Sequence, residues 1–289
     1  ILKKISPERE LEMRKNCINI YNYFKNNYAN QKKKIVHYCC GSYYTGHIGG
    51  VARYDYQLSM IFPTRIFFQG PQGKDGLLKF LKKYPNSLVI TDNHLACDIP
   101  NNYNIILVHH GVAQTHAKRE PTWNEYWKNH CCSGQKKMLY ERDPIRTKIL
   151  SISQFCTDEF TKYYGENYLR FRREKIYHPS ELNEKKCKKA WGKTPVVLGN
   201  WANKNKGSEI VNKLKRYKTF RFEKLNIQPD GWEFVDFNRK KEDIYLRSDM
   251  FLQISLCEGN SYASLDALML GLPVIASNVG LFYKDVPED

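Results

Sequence analysis

Short apolar runs alternate with stretches of helical periodicity along this chain, and the alternation occurs in two successive series. In the first series, strands are predicted at 34–40, 64–68, 87–91, 104–108 and 147–152. Helices are predicted at 51–60, 76–83 and 154–164. Such an alternation is typical of βαβ units, which form parallel sheets, so the predicted fold class is α/β.

The second series follows a basic stretch at 165–193, which holds one predicted strand near 175–177. Its strands are predicted at 195–199, 219–223, 232–237, 250–255 and 273–277, and its helices at 206–217, 241–248 and 261–270. Two series predict two parallel-sheet domains in tandem, at 1–185 and 186–289, with the hinge between 180 and 193. A further helix is predicted at 7–29, and the polar, aromatic stretch 112–145 predicts a loop with one or two short helices.

The formal net charge of +16 changes this picture by raising the question of an anionic partner. Nucleic acid, an anionic membrane surface and a phosphorylated substrate all fit such a charge. Nucleic acid is the weakest of the three, because the chain has no RNP-like motif, zinc-finger spacing or basic stripe interleaved with aromatics. We expect the basic groups at 32–34, 136–137 and 172–173 to converge on one membrane-facing side of the first domain. The alternative is that they are scattered and serve only solubility.

The cysteines and the hydropathy suggest a cytoplasmic chain, peripheral on a membrane if attached to one. Nine cysteines without a C-x-x-C pair are expected to be reduced thiols. A zinc site at Cys131, Cys132 and His130 has poor spacing. No apolar run approaches the roughly 20 residues of a spanning helix, and the start of the chain lacks both an initiator Met and a signal-peptide apolar region. Processing or missing terminal residues would explain that start.

Candidate chemistry is concentrated at 255–277, SLCEGNSYASLDALMLGLPVIAS. Glu258 follows a predicted strand, and Asp266 comes eight positions later on a predicted helix. This segment resembles the donor-site signature of retaining nucleotide-sugar glycosyltransferases of the GT-B fold (glycosyl transferases group 1, mannosyltransferase-like). The resemblance implies that Glu258 binds the hexose and Asp266 the ribose, although the family usually has Glu at the second place. The backbone amides of Gly259, Asn260, Ser261 and Tyr262 would begin the helix and offer N–H groups to a diphosphate.

A second stretch, 196–207 (VVLGNWANKNKG), resembles the first strand and the Lys-Gly pair of the same family's C-terminal domain. The resemblance implies that Lys206 binds the donor diphosphate. Asn200 stands where the family often has Arg, and Lys204 is a possible substitute for that charge. The alternative for Lys206 is an ordinary surface lysine in a turn.

In the N-terminal half, 46–54 (GHIGGVARY) resembles the family's first glycine loop. Gly49 and Gly50 would let the main chain approach a phosphate or sugar closely. His110, before Gly111, resembles the strand-end His that lies beside the anomeric centre in such enzymes, where it holds the sugar or orients the acceptor. Lesser candidates are His116, Asp92 and His94.

The resemblance implies a hexosyltransferase with two Rossmann-like domains and the donor site in the cleft between them. Sugar would pass from a nucleoside-diphosphate sugar to a hydroxyl of a glycan, lipid or protein, with retained configuration. The sequence has no Asp-x-Asp, so we expect no metal at the diphosphate and no cofactor beyond the donor. One alternative is a GT-B-fold epimerase, but the acids that it would need around the sugar in both domains are not apparent. Another is a phosphorylase, which would need a longer chain and an internal aldimine Lys. An alternative from a different class is a basic nucleic-acid-binding protein. The family normally continues with further helices, one of which crosses back to the first domain. The second domain is therefore expected to be truncated, unless the helix at 7–29 partly takes that place.

Overall fold

The structure is a computed structural model, which describes residues 34–39, 50–70, 72–120, 123–178, 193–225 and 242–286, apart from the side chain of Trp127. Two separate sheets occur within these ranges, one in each half of the chain, and every strand pair in both is parallel. The predicted α/β class with two parallel-sheet domains is therefore confirmed. The boundary predicted at 185/186 falls outside the described residues, as does the strand predicted at 232–237 and the helix at 7–29.

The first sheet has six strands in the order β2-β1-β3-β4-β5-β6. They are β1 (Ile35–Cys39), β2 (Ile66–Gln69), β3 (Leu88–Asp92), β4 (Asn104–His109), β5 (Thr147–Ser151) and β6 (Arg172–Lys175). Central strands β3 and β4 are almost wholly buried, as expected for apolar strands with both faces of a parallel sheet covered.

Helices connect these strands. They are α1 (Gly50–Ile61), α2 (Lys74–Lys83), a 3₁₀ helix (Asn93–Asp98), α3 (Ala113–Arg119), α4 (Glu125–Glu141), α5 (Gln154–Tyr164) and α6 (Glu166–Leu169). The prediction of short helices at 112–145 was wrong for α4, which runs for 17 residues. Its apolar residues form no clear stripe, because few of them, such as Met138 and Leu139, reach the core.

The second sheet has four strands in the order β10-β9-β7-β8. They are β7 (Val196–Gly199), β8 (Arg221–Lys224), β9 (Met250–Gln253) and β10 (Val274–Ala276), with helices α7 (Ser208–Leu214), α8 (Tyr262–Met269) and α9 (Leu281–Lys284). A 3₁₀ turn, Lys215–Tyr217, extends α7, and residues 242–246 are also helical. Apolar clusters around Phe251 and Trp201 provide the core of this half.

The strand orders place the ligand-binding edge of each sheet. In the first sheet, β1 lies between β2 and β3, so the connections leave it in opposite directions; in the second, β7 lies between β8 and β9. Ligands of open α/β sheets bind at such switch points, beyond the carboxyl ends of the strands. Ligand-binding residues are therefore expected after β1, β3 and β4 in the first sheet and after β7 and β9 in the second.

Candidate functional site

The carboxyl edges of the two sheets meet each other directly. The loop after β9 contacts the segments after β4 and β5: Ser153 Oγ donates a hydrogen bond of 2.6 Å to the carbonyl of Gly259. The side chain of Asn260 donates to the carbonyl of Ile152 at 3.3 Å. The structure thus brings the N-terminal and C-terminal halves of the predicted site together.

Gly259 is the tightest point of this contact. A Cβ at this position would lie 2.1 Å from the carbonyl oxygen of His110, a backbone atom that cannot rotate away. Only a residue without a Cβ allows the two strand-end loops to approach this closely. The glycine predicted as part of the donor site is therefore also required by the contact between the two halves.

Glu258 lies in the same loop and is only partly buried, with 13% of its side chain exposed. Its Oε1 accepts a hydrogen bond from Ser255 Oγ at 2.8 Å and pairs with Lys206 Nζ. Two residues that the sequence assigned to one donor are thus in direct contact. The ion pair places a carboxylate and an ammonium side by side at the edge of the second sheet.

The loop after β7 explains the position of Lys206. Its backbone N–H donates to the side chain of Asn203 at 3.0 Å, which closes a turn. Gly207 follows with a φ of +83°, and a Cβ there would lie 2.4 Å from the side chain of Ile254. The left-handed glycine therefore lets the loop press against the end of β9, and this brings Lys206 to Glu258.

Helix α8 begins at this loop, as predicted. Ser261 is its N-cap, and the Ser261 side chain accepts a hydrogen bond from the backbone N–H of Ser264 at 3.2 Å. The helix is buried along most of its length, including Tyr262 and Asp266.

Asp266 is completely buried and forms an ion pair with Arg53 of the first domain. Arg53 Nη1 donates to one carboxylate oxygen at 2.9 Å and Nη2 to the other at 3.2 Å. The Arg53 guanidinium also lies 4.2 Å from the centroid of the Tyr262 ring. The role of Asp266 as a ribose ligand stays a prediction. In this conformation both oxygens of its carboxylate are bonded to Arg53.

His110 is held by two consecutive residues at the end of β3. Its Nε2 lies 3.1 Å from Asp92 Oδ1, and its backbone N–H donates to Asn93 Oδ1 at 3.0 Å. Burial raises the pKa of Asp92 and the charge of Asp55 raises it further, while the hydrogen bond with His110 acts in the opposite direction. Asp92, a lesser candidate from the sequence, therefore orients the predicted site histidine.

His178 is a site residue that sequence reasoning missed. It is 3% exposed, stacks on Tyr262 at 4.4 Å between ring centroids and lies 5.5 Å from the His110 ring. Burial lowers the pKa of His178, so the ring is neutral. His178 comes three residues after the end of β6, and this position after a strand is the signal in the sequence that could have found it.

His116 also lies near the Glu258 loop. Burial lowers its pKa, but hydrogen bonds to Cys257 and Glu120 and the charge of Glu258 outweigh that effect and raise the pKa to about 9. His116 is therefore a protonated residue at neutral pH, placed by α3 against the second domain.

A buried group of His37, Cys39, Asp55 and Asp92 offers ligand-type atoms within 4.8 Å of one another. Arg65 donates to His37 Nδ1 at 3.3 Å, so His37 Nε2 carries the hydrogen and faces Asp55 at 3.1 Å. In that tautomer Nε2 has no lone pair for a cation. We interpret the group as a buried polar cluster in which the neutral His37 ring faces Asp55 of α1.

Gly50 is the first residue of α1, and Gly49 lies outside the described residues. A Cβ on Gly50 would meet the Tyr262 ring at 3.6 Å, an ordinary contact. A separate cavity of about 290 Å³ opens at the opposite end of the first sheet, beside residues such as Asn104, Thr147 and Arg172. Because it lies at the amino ends of the strands, we do not assign the predicted chemistry to it.

No protein-family model matches the chain, and no curated protein matches its sequence. Solved structures do match its fold. The sucrose-phosphate synthase of Thermosynechococcus elongatus is 13% identical, with 89% of this chain and 84% of that chain covered and a TM-score of 0.59. WaaG, a glycosyltransferase involved in lipopolysaccharide biosynthesis, is 12% identical, with 86% and 83% covered and a TM-score of 0.55.

The chain has the GT-B fold. The lipopolysaccharide outer core galactosyltransferase WaaB is similar as well, at 13% identity over 96% of this chain and 80% of that chain, with a TM-score of 0.54. Within this GT-B fold, His110, Lys206 and Glu258 lie where the carboxyl edges of the two sheets meet. The fold predicted from the resemblance is confirmed.

Proposed function

We propose that this chain is a glycosyltransferase that transfers a hexose from a nucleoside-diphosphate sugar to an acceptor hydroxyl. One observation carries the proposal: Gly259, in the loop of the predicted donor motif, packs against the carbonyl of His110. The two groups are 149 positions apart in sequence, by subtraction of their numbers. Their contact unites two motifs that the resemblance had assigned separately to one site.

The donor would lie between the loop after β9 and the loop after β7. Lys206 and the first amides of α8 supply positive charge for the diphosphate, which gains negative charge as the bond to the anomeric carbon breaks. Glu258 accepts hydrogen bonds from the sugar hydroxyls, and its pairing with Lys206 holds the carboxylate at the edge of the second sheet. His110, fixed by Asp92 and Asn93, contacts the sugar or the acceptor from the first domain.

We further propose retention of the anomeric configuration and transfer without a metal ion. Retention is supported by the resemblance of the segment 255–277 to retaining enzymes. Independence of metal is supported by Lys206, which offers fixed positive charge beside the proposed diphosphate position.

The acceptor is proposed to be a glycan, lipid or protein hydroxyl. WaaG and WaaB are named for roles in lipopolysaccharide, and starch synthase IV from Arabidopsis thaliana (TM-score 0.57, 10% identity) is described as bound to ADP and acarbose. Among the described residues, no helix is long and apolar enough to cross a bilayer. We propose a cytoplasmic enzyme that attaches peripherally through basic groups such as Lys136, Lys137, Arg172 and Arg173.

A thermal-shift panel tests the donor proposal. UDP, GDP and ADP, each with its common sugar conjugates, should be compared at moderate salt, since a ligand that binds the native state raises the melting temperature. We expect one nucleotide to stabilise the chain. Stabilisation by duplex DNA that fades steeply with salt, with no response to any nucleotide, would favour nucleic-acid binding instead.

Product analysis then tests the reaction. The anomeric configuration of the product, followed by NMR from the start of turnover, should match that of the donor. An inverted product would contradict retention while leaving transfer intact. Flotation with phosphatidylserine liposomes at low and high salt checks the membrane proposal, which fails if no binding occurs at low salt.

A further inference from the structure

Two helices, one from each domain, contact each other directly through their side chains. Arg53 and Gln57 lie four residues apart on α1, and Tyr262 and Asp266 lie four residues apart on α8, so each pair shares one helix face. Arg53 pairs with Asp266, and the Tyr262 hydroxyl donates to Gln57 Oε1 at 2.7 Å. We call this set of four residues the α1–α8 joint.

The joint is buried at its centre. Arg53 is 4% exposed and Asp266 is 0% exposed, so the ion pair is shielded from water. The Arg53 guanidinium lies over the Tyr262 ring, and His178 stacks on the same ring. This ion pair holds the two helices in one relative position, because separating it would leave a buried charge uncompensated, which costs free energy.

The same carboxylate is the one that the donor motif provides for a ribose. A ribose presents two neighbouring hydroxyls, each able to donate to one carboxylate oxygen. A guanidinium presents two N–H donors in a fixed fork, and Arg53 uses them on both oxygens of Asp266. Arg53 therefore makes, from within the protein, the pair of hydrogen bonds that a ribose diol would make.

We propose that Arg53 is a positioning residue that competes with the donor ribose for Asp266. In the absence of donor, Arg53 holds Asp266 and keeps α1 packed on α8. Donor binding must displace the guanidinium, so part of the donor's binding free energy is used to separate this contact. The inference rests on the proposed function, because it takes the competing ligand to be a nucleoside diphosphate.

Competition predicts effects of opposite sign on stability and on affinity. Removing the guanidinium removes a buried partner, so Arg53→Ala should unfold at a lower temperature without nucleotide. The same substitution removes the guanidinium that competes for the Asp266 carboxylate, so the nucleotide should bind more tightly, by about tenfold for a coupling of ordinary size. A purely structural ion pair predicts instead that stability and affinity fall together.

The chain offers a matched control in a second ion pair between the halves. Lys175 of β6 pairs with the buried Asp285, just after α9, at 2.7 Å. This contact also joins the first sheet to the segment after β10, but it does not touch the donor motif. Lys175→Met should therefore lower the melting temperature and leave the nucleotide affinity unchanged.

The experiment measures melting temperature and, by calorimetric titration, the Kd of whichever of UDP, GDP and ADP binds the wild-type chain. Arg53→Ala, Arg53→Lys and Lys175→Met are compared with the wild type. Arg53→Lys keeps the charge but not the fork, so it should give an intermediate Kd, and it carries the test if Arg53→Ala does not fold.

A lower Kd for the Arg53 variants alone supports the proposal. An unchanged or higher Kd in both Arg53 variants overturns it, as does an equal decrease in Lys175→Met, which would mean general opening of the domains. If no nucleotide binds the wild type or any variant, the proposed function itself fails, and the inference fails with it.

Discussion

The two acids of the segment 255–277 are eight positions apart but lie in different environments. Glu258 is in a loop, partly exposed, and pairs with Lys206 of its own domain. Asp266 is on a helix, completely buried, and pairs with Arg53 of the other domain. The comparison shows that a motif fixes which residues line a site, while their availability to a ligand depends on what the rest of the fold places against them.

The largest expected effect is the loss of turnover when Glu258, the more accessible of the two acids, is replaced. Glu258→Ala should reduce the donor-dependent rate by about 10³-fold, as loss of an electrostatic contact at the reacting centre does in other enzymes. The melting temperature should barely change, because the remaining Lys206 can be hydrated. Glu209→Ala, which removes another acid paired with a lysine of the same loop, Lys204, serves as the control for both measurements. Near wild-type rates in Glu258→Ala would refute the donor-site assignment.

Replacing Asp266, the buried acid, should lower the stability of the fold, unlike replacing Glu258. Asp266→Ala removes the carboxylate that pairs with the buried Arg53 guanidinium, which is expected to cost about 3–5 kcal/mol of unfolding free energy. For a chain of this size that corresponds to a melting temperature lower by about 10 °C. Donor-dependent activity should be lost as well.

A double variant sharpens this test. Arg53→Met combined with Asp266→Leu replaces the pair with apolar groups, and it should recover most of the lost stability. If the single Asp266→Ala variant melts like the wild type, the ion pair contributes nothing to the joint.

A third prediction concerns the glycine between the two acids. Gly259→Ala introduces a Cβ against the His110 carbonyl, so the two strand-end loops must separate. A displacement of about 1 Å at the reacting groups is expected to reduce the rate by roughly 100-fold. Leu256→Ala truncates an exposed side chain of the same loop and should be nearly neutral. Equal rates for the two variants would mean that the loops need not touch.

A fourth prediction concerns how the stabilising contribution of His116 depends on pH. The pKa of His116 is raised from 6.5 to about 9 in the folded chain. Its stabilising contribution is therefore complete below pH 6.5 and is lost as the pH rises through about 9.

The measurement is the difference in melting temperature between the wild type and His116→Gln. It should be largest near pH 6 and shrink towards pH 9.5. A difference that grows with pH would contradict a raised pKa.

The smallest expected effect is that of chelation. Because Lys206 supplies the positive charge beside Glu258, donor-dependent activity should be unchanged by EDTA and by added Mg²⁺ or Mn²⁺. Loss of activity in EDTA that one of these ions restores would show that Lys206 is not sufficient.

Local pattern was enough to predict most elements of the fold. Helix α5 and strand β4 fall almost where the apolar spacing indicated, because a buried strand or an amphipathic helix must show its burial in its own sequence. The pattern failed for elements that bury few side chains, because their sequences show no clear apolar spacing. Helix α4 packs few side chains into the core, and β6 is an exposed edge strand that lies a few residues before its predicted position.

The sequence by itself determined two parallel-sheet domains and the strand ends at which chemistry could occur, since both follow from short-range periodicity and from the geometry of parallel strands. Only the tertiary structure decided that Arg53 closes off Asp266, that Gly259 meets His110 and that His178 joins the cleft. Those contacts link residues more than 80 positions apart. They depend on how the two domains are oriented, which no local pattern encodes.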